Sequence, residues 1–303
     1  MTRRTPAANF SEASVRNVLA ASCASVGLNP SGAQLLRLGE NAIYSLRDAP
    51  VIVRIARTLD ALEDVRKEVR VARWLAQERL PAGRLWDETS EPLVVHDHPV
   101  TFWQLIRTAP QPAEEADLAR LLRQLHTLDP PKWLQLPDFD PFTRVADRLD
   151  QAPPATPKSE VAFLRELFHN LRSQYSQLTF EFPPSPLHGD AYVANVMRDE
   201  SGTALLIDFE AFSFGPREWD LAITGARKDG FGWLSAEEYR EFVEVYGYDI
   251  LGWPGFPVLR AIRELTMTTW LMQLVDDPMA NAEFKRRVSE IRSGSFPREW
   301  QPF

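Results

Sequence analysis

Apolar side chains in the first hundred residues follow two different periods. A three- and four-residue spacing near the amino terminus predicts a leading amphipathic helix, with its apolar face at Val15, Val18, Leu19, Cys23 and Val26. A second such face lies on a charged segment that begins at Asp60, and it predicts another helix. Short apolar runs bounded by turn-like residues predict strands at Ala33–Leu38, Ala42–Leu46, Val51–Ala56, Leu85–Glu88, Leu93–His96 and Val100–Ile106. The pattern predicts a small, mainly antiparallel sheet that carries one helix.

After about residue 105 the pattern becomes helical. Amphipathic spacing predicts helices over Glu114–Leu128 and Glu160–Gln177, and helical segments again from Asp220 onward. Two short strands, Ala194–Met197 and Ala204–Ile207, interrupt these helices. The predicted fold class is therefore α+β.

The length and composition set broad limits. With 303 residues, the chain is long enough for two lobes, which the change of pattern places at residues 1–104 and 105–303. The single cysteine, Cys23, excludes an intramolecular disulfide and a cysteine-based zinc cluster, which fits a reducing cytoplasm.

The net charge of −8 disfavours nucleic-acid binding. No apolar run approaches the roughly 20 residues that cross a bilayer, and the basic start, Met1–Thr5, leads into a polar stretch rather than a signal sequence. We expect a cytoplasmic protein that binds neither nucleic acid nor membrane; the sequence does not indicate its oligomeric state.

Three polar residues form an ordered set in the second half of the chain. Asp190 lies in a predicted loop, Asn195 follows five residues later, and Asp208 ends an apolar strand. Taken singly, each fits a loop cap or a strand end. Together they suit phosphoryl transfer, in which one carboxylate orients the attacking hydroxyl, while an amide oxygen and a second carboxylate bind Mg²⁺.

The residues around this set resemble a known superfamily. His-Gly-Asp-x-x-x-x-Asn, then Ile-Asp-Phe-Glu, then Trp-Asp-Leu-Ala, between Leu187 and Ala222, resembles the aminoglycoside phosphotransferase and choline kinase superfamily, which is related to the eukaryotic protein kinases. The resemblance implies a protein-kinase-like fold with two lobes. It also implies that Asp190 is catalytic, that Asn195 and Asp208 bind the metal, and that His188 and Asp220 support the catalytic loop.

The resemblance also assigns roles in the first lobe. Such kinases carry a strand lysine that touches the nucleotide phosphates and pairs with a helix glutamate, and here Arg54 and Glu68 stand at these places. Arginine can hold two phosphate oxygens, so it can replace lysine in contacting the nucleotide phosphates. The alternative is that Arg54 is an edge-strand arginine in a surface ion pair. Gly39 lies in the hairpin expected to cover the nucleotide, and the backbone of Gln104 and Ile106 is expected to meet the purine.

The predicted activity is an ATP- or GTP-dependent O-phosphotransferase that acts on a hydroxyl of a small molecule, with aminoglycosides or another antibiotic as the leading acceptor class. Glu210, which stands where protein kinases have glycine, either faces the substrate or caps a turn, and Glu264 is a candidate for binding substrate ammonium groups. Two alternatives stay open. One is a metabolic kinase for choline, a sugar, homoserine or a macrolide. The other is a non-catalytic nucleotide-binding regulator, for which Arg54 in place of lysine is the support.

Overall fold

The computed structural model describes residues 10–87 and 91–303, and the chain forms two compact units. Of the described residues, the sheet unit contains 10–87, 91–113, 130–136 and 194–212. The helical unit contains residues 114–129, 137–193 and 213–303. These units differ from the predicted lobes chiefly because residues 194–212 group with the sheet. The basic start, Met1–Thr5, lies outside the described residues.

An antiparallel sheet of five strands, in the order β1-β2-β3-β5-β4, forms the centre of the sheet unit. The strands and accompanying helices are α1 (Glu12–Ser25), β1 (Gln34–Leu38), β2 (Asn41–Ser45), β3 (Val51–Ala56), α2 (Leu62–Gln77), β4 (Leu93–Val95) and β5 (His98–Gln104). Along β3, Val51, Val53 and Ile55 are buried in one core with apolar side chains of α1. Because side chains alternate along a strand, Arg54 lies on the opposite face of the sheet. The predicted sheet with its helices is confirmed.

The predicted strand Leu85–Glu88 is the exception. Leu85 makes an isolated antiparallel bridge with Trp103. Two backbone hydrogen bonds flank this bridge, from Trp86 N–H to the Phe102 carbonyl and from Gln104 N–H to the Arg84 carbonyl, each 2.9 Å long. The pairing is therefore too short to form a strand, and Glu88 lies outside the described residues.

Helices dominate the helical unit. They are α3 (Glu115–Leu125), α4 (Thr143–Asp150), α5 (Lys158–Tyr175), α6 (Glu218–Gly225), α7 (Ala236–Tyr246), α8 (Phe256–Met272) and α9 (Pro278–Ser293). Helix α8 packs against α4, α5, α6 and α9 and buries Leu259, Ile262 and Leu265 completely. A π-helical turn, Ala226–Gly230, follows α6 and also packs against α8. Side chains of α8 therefore lie close to those of α6 and the π-helical turn.

Short strands lie along the chain from α5 to α6. They are β6 (Ser185–Leu187), β7 (Val196–Arg198), β8 (Ala204–Leu206) and β9 (Ser213–Gly215). Strand β6 pairs with β9 inside the helical unit, whereas β7 and β8 form the predicted hairpin inside the sheet unit.

Backbone hydrogen bonds attach the β7–β8 hairpin to the sheet unit. Gly83 N–H donates to the Leu206 carbonyl at 2.8 Å, and Leu206 N–H donates to the Pro81 carbonyl at 3.0 Å. Ala109 N–H also donates to the Arg198 carbonyl, at 3.0 Å. These bonds explain why residues 194–212 cluster with the sheet although they lie deep in the helical part of the sequence.

The predicted α+β class is confirmed by these elements. Within residues 10–87 and 91–303, no helix combines the length and the apolar character needed to cross a bilayer.

Candidate active site

The backbone before Asp190 is fixed by a buried carboxylate. Gly189 has φ of +82°, a conformation that favours glycine. The Asp220 carboxylate, which is completely buried in α6, accepts hydrogen bonds from the backbone N–H groups of His188 at 2.8 Å and Gly189 at 2.9 Å. The Trp219 indole N–H donates to the Gly189 carbonyl at 2.9 Å. Asp220 therefore makes the kind of backbone contact expected of a residue that supports the loop.

Asp220 has a further partner that the sequence did not predict. The Nε2 atom of His126 lies 3.1 Å from the Asp220 carboxylate, and Nδ1 lies 2.9 Å from the Tyr246 hydroxyl. Burial raises the pKa of Tyr246 to about 12, so the hydroxyl stays protonated and donates to Nδ1. The His126 proton then lies on Nε2 and is donated to Asp220. A buried chain of hydrogen bonds thus runs from Tyr246 through His126 and Asp220 to the loop.

Replacing Asp220 with asparagine is expected to destabilise the protein by about 2–3 kcal/mol, because the amide group would face backbone N–H groups that need an acceptor. Chemical denaturation in urea measures this loss. The matched control is Asp150→Asn, since Asp150 forms an exposed pair with Arg165 and its replacement should change stability by less than about 0.5 kcal/mol. Equal effects of the two substitutions would contradict the supporting role of Asp220.

The Asp190 side chain forms an ion pair with an arginine of α8. The Arg263 guanidinium donates to the Asp190 carboxylate at 2.8 Å, and their side chains are 18% and 38% exposed respectively. Sequence reasoning missed Arg263, because no motif surrounds it and helical spacing alone assigns it no partner.

Glu264, the predicted candidate for binding substrate ammonium groups, is paired with arginines. Its side chain is buried and accepts a hydrogen bond from the Arg298 guanidinium at 2.7 Å. The Arg260 guanidinium lies 3.6 Å from its other carboxylate oxygen. The charge of Glu264 is therefore balanced inside the helical unit.

The two predicted metal ligands lie together in the sheet unit. Asn195, which is buried, accepts a backbone hydrogen bond from Ile207 N–H at 3.0 Å, so that the residue preceding Asp208 is bonded directly to Asn195. Asp208 has φ of +65°, and its side chain is exposed, whereas the following Phe209 is buried. A left-handed conformation is uncommon for a residue other than glycine and often marks a functional position.

The donor chemistry of this pair fits a divalent cation. An amide oxygen and a carboxylate are hard ligands of the kind that Mg²⁺ prefers, and nucleotide phosphates and waters ordinarily complete its shell. Within the described residues, no group of three or more histidine, cysteine, aspartate and glutamate side chains forms a metal-binding cluster. The remaining ligands of a metal held by Asn195 and Asp208 would come from phosphate oxygens or water.

Arg54 is surrounded by acceptors. Its guanidinium lies 2.6 Å from the Glu68 carboxylate and 3.5 Å from that of Glu210. With the Asn41 amide turned so that its oxygen faces the guanidinium, that oxygen accepts two further hydrogen bonds, of 2.9 and 3.2 Å. Burial lowers the pKa of Arg54, but the carboxylates of Glu68, Asp208 and Glu210 raise it above its ordinary value. The guanidinium is thus held charged, on the sheet face opposite α1.

Glu68 and Glu210 hold Arg54 from two sides. Burial raises the pKa of Glu68 to about 7, while its short contact with a permanently charged arginine favours the ionised form. The Glu210 backbone carbonyl accepts a hydrogen bond of 2.6 Å from the Lys67 ammonium. The sequence predicted the pair of Arg54 with Glu68 but not the contacts of Lys67 and Asn41.

The remaining predicted residues lie at two places in the sheet unit. Gly39 lies in the β1–β2 turn, where its N–H donates to the Asn41 carbonyl at 3.0 Å and its carbonyl accepts from Arg57 at 2.7 Å. Gln104 and Ile106 line a cleft of about 450 Å³. The Gln104 N–H is already bonded to the Arg84 carbonyl, so a purine could use only the carbonyl of Gln104.

The predicted site residues thus divide into two sets. Those of the sheet unit are Gly39, Arg54, Glu68, Gln104, Ile106, Asn195, Asp208 and Glu210; those of the helical unit are His188, Asp190, Asp220 and Glu264. Their predicted roles in binding and catalysis stay predictions.

A family model matches most of the chain. A model of the phosphotransferase enzyme family matches residues 34–262. Among curated proteins, a probable ketoamine kinase of Lactiplantibacillus plantarum is 37% identical over 81 residues, which are 26% of this chain and 27% of that protein. The chain therefore matches only about a quarter of the length of this relative.

Solved structures show the same fold. An amicoumacin kinase in complex with AMP-PNP, Ca²⁺ and Ami superposes with a TM-score of 0.74 at 14% identity, over 96% of this chain and 98% of that one. The choline kinase of Streptococcus pneumoniae superposes with a TM-score of 0.66 at 14% identity, over 92% and 99%. The predicted protein-kinase-like fold is confirmed.

Proposed function

The chain belongs to the phosphotransferase enzyme family, and from that premise we propose that it is a small-molecule kinase that transfers the γ-phosphate of ATP or GTP to a hydroxyl group. The observation that carries the proposal is the set of Asp190, Asn195 and Asp208, with Asn195 bonded to the neighbour of Asp208 and with Asp208 in the left-handed conformation. A regulator that only binds nucleotide has no need of all three.

In the proposed reaction, the chain orients the reactants and moves one proton. The acceptor oxygen attacks the γ-phosphorus, the bond from that phosphorus to the bridging oxygen breaks, and the nucleoside diphosphate leaves. Asp190 orients the acceptor hydroxyl and takes its proton. Asn195 and Asp208 would hold Mg²⁺, which would offset the charge of the phosphates.

Arg54 is proposed to hold phosphate oxygens beside the metal. Its contact with Glu210, at 3.5 Å, is longer than that with Glu68, at 2.6 Å, so phosphates would replace Glu210 more readily. Glu68 then orients the guanidinium, as a carboxylate does for the lysine of related kinases. Glu210 is in this scheme a competitor for Arg54, and its predicted contact with substrate is still a proposal.

The Arg54→Gln variant is expected to lower kcat/KM for the nucleotide by roughly 10–100-fold, since it loses charge-assisted hydrogen bonds to phosphate. The Arg54→Lys variant keeps the positive charge but lacks the planar guanidinium. Its kcat/KM for the nucleotide should fall by less than about tenfold. Initial rates at varied nucleotide concentration measure both. Arg66→Gln, which removes an exposed pair on α2, should leave the rates unchanged. A fully active Arg54→Gln variant would show that another group holds the phosphates.

The class of acceptor is proposed from the names of the similar proteins. The amicoumacin kinase and the choline kinase with this fold, and the ketoamine kinase with a matching stretch, are named for different small molecules. We propose an antibiotic or a hydroxylated metabolite as the acceptor class.

Mass spectrometry tests the proposed function directly. The protein is incubated with Mg-ATP or Mg-GTP and a panel of antibiotics and hydroxylated metabolites, and nucleotide binding is measured with and without Mg²⁺. A product heavier by one phosphate group supports the proposal. Binding that is independent of Mg²⁺, with no product from any acceptor, would favour the regulator instead.

A further inference from the structure

Carboxylates near Asp190 in the helical unit are already paired with arginines. Helix α8 supplies Arg263 to Asp190 at 2.8 Å and Arg260 to Asp229 of the π-helical turn at 2.7 Å. Two buried carboxylates are paired as well, Glu264 with Arg298 and Glu115 with Arg227. The charges of these four carboxylates are balanced by arginines of the helical unit.

The same region holds a cation that has no such partner. Lys228 lies in the π-helical turn beside Asp229 and is half-buried, and it makes no hydrogen bond or ion pair with the residues that the structure describes. π-Helical turns are rare and frequently lie at functional sites. The charges around the π-helical turn and α8 therefore suit an anion better than a cation.

Arg263 is the residue best placed to meet that anion. Its planar guanidinium carries five N–H donors and suits the two oxygens of a carboxylate or phosphate. Its pair with Asp190 is partly exposed, with 18% and 38% of the side chains accessible, so an entering anion can reach the guanidinium. A second anion can therefore compete with Asp190 for Arg263.

We propose that the acceptor carries a carboxylate or phosphate near its reacting hydroxyl, and that Arg263 binds this anion. Binding moves the guanidinium off Asp190, which leaves the carboxylate to receive the hydroxyl proton. Arg263 thus selects the acceptor and releases Asp190 from its ion pair only when an anionic acceptor is present. The inference rests on the proposed function, because Asp190 is the base in that reaction.

Matched pairs of probes test this selection by charge. D-gluconate is compared with D-glucamine, and D-glycerate with 3-amino-1,2-propanediol, so that each pair differs in the charged group and keeps the hydroxyls. The wild-type protein should bind the two acids more tightly in isothermal titration with a non-hydrolysable nucleotide and Mg²⁺, and should phosphorylate them faster. Arg263→Gln should lose at least about tenfold in acid binding, as expected for a charge-assisted contact. Arg263→Lys should recover part of it.

Two further variants separate binding from folding and catalysis. Arg292→Gln removes a pair of the same chemistry, with Glu160 on α5, and should not change acid binding. Asp190→Asn should bind the acids several-fold more tightly than the wild type, because a neutral amide competes less for Arg263, although its phosphate transfer is strongly reduced. A merely structural role for Arg263 would not produce this gain.

The outcomes distinguish this inference from the proposed function. Three results would overturn the inference without bearing on the kinase activity. These are a preference of the wild type for the amines, a failure of the wild type to bind either acid, and acid binding by Arg263→Gln that is as tight as that of the wild type. Acid binding that depends on Arg263, without phosphate transfer to any acceptor, would support the anion site and count against the kinase.

Discussion

Asp190→Asn should lower the rate of phosphate transfer by about 10²–10⁴-fold, the contribution expected of a positioned general base. The amide has nearly the shape of the carboxylate but cannot take the hydroxyl proton. The groups proposed to bind the nucleotide lie in the sheet unit, so nucleotide affinity should change little. Rates under saturating nucleotide and acceptor, with nucleotide binding measured separately, give both quantities.

The control for Asp190 is another carboxylate of the helical unit. Asp276 is exposed, and Asp276→Asn should transfer phosphate at the wild-type rate. If Asp190→Asn lost activity and nucleotide binding together, the residue would be acting through the structure of the loop. Activity that survived in Asp190→Asn would exclude it as the base.

Asp208→Asn should reduce phosphate transfer by about 10³-fold or more, since the metal that Asp208 is proposed to hold would stabilise the charged transition state by several kcal/mol. Asparagine is a suitable replacement because it tolerates the left-handed conformation that Asp208 adopts at φ of +65°. The fold should therefore survive while the anionic ligand is lost. Titration of activity with Mg²⁺ should show a much higher metal requirement.

The exposed Asp64 of α2 provides the comparison, and Asp64→Asn should titrate like the wild type. An Asp208→Asn variant with an unchanged Mg²⁺ requirement would mean that the metal is held elsewhere. A thermal melt of each variant separates loss of metal from loss of fold.

Local sequence patterns predicted much of the fold. Strand β3 was predicted at its observed bounds because alternate residues face one core, and this alternation leaves a direct signal in the sequence. The failed strand Leu85–Glu88 has apolar residues but only one bridged position, and the length of a pairing is set by the neighbouring chain rather than by the segment itself. The same limit applies to residues 194–212, whose hairpin was predicted although its attachment to the sheet unit was not.

The contacts around the site differ in how far the sequence indicates them. The pair of Arg54 with Glu68 was expected from the family resemblance, and the two side chains lie 2.6 Å apart. Arg263, which contacts a residue 73 positions away, has no local signature. His126 and Tyr246, 120 positions apart, meet only after α3 and α7 have packed. The contact of Glu264 with Arg298, 34 positions away, has no local signature either.

The hydrogen bonds of Pro81 and Gly83 with Leu206 affect the order in which the protein folds during synthesis. They join positions more than a hundred residues apart, so a large loop must close before they form. Such non-local contacts form slowly and late. During synthesis, a nascent chain that has released only residues 1–113 lacks the β7–β8 hairpin, and the sheet unit stays incomplete until residue 212 has left the ribosome. Much of the helical unit is therefore translated before the first unit can finish folding.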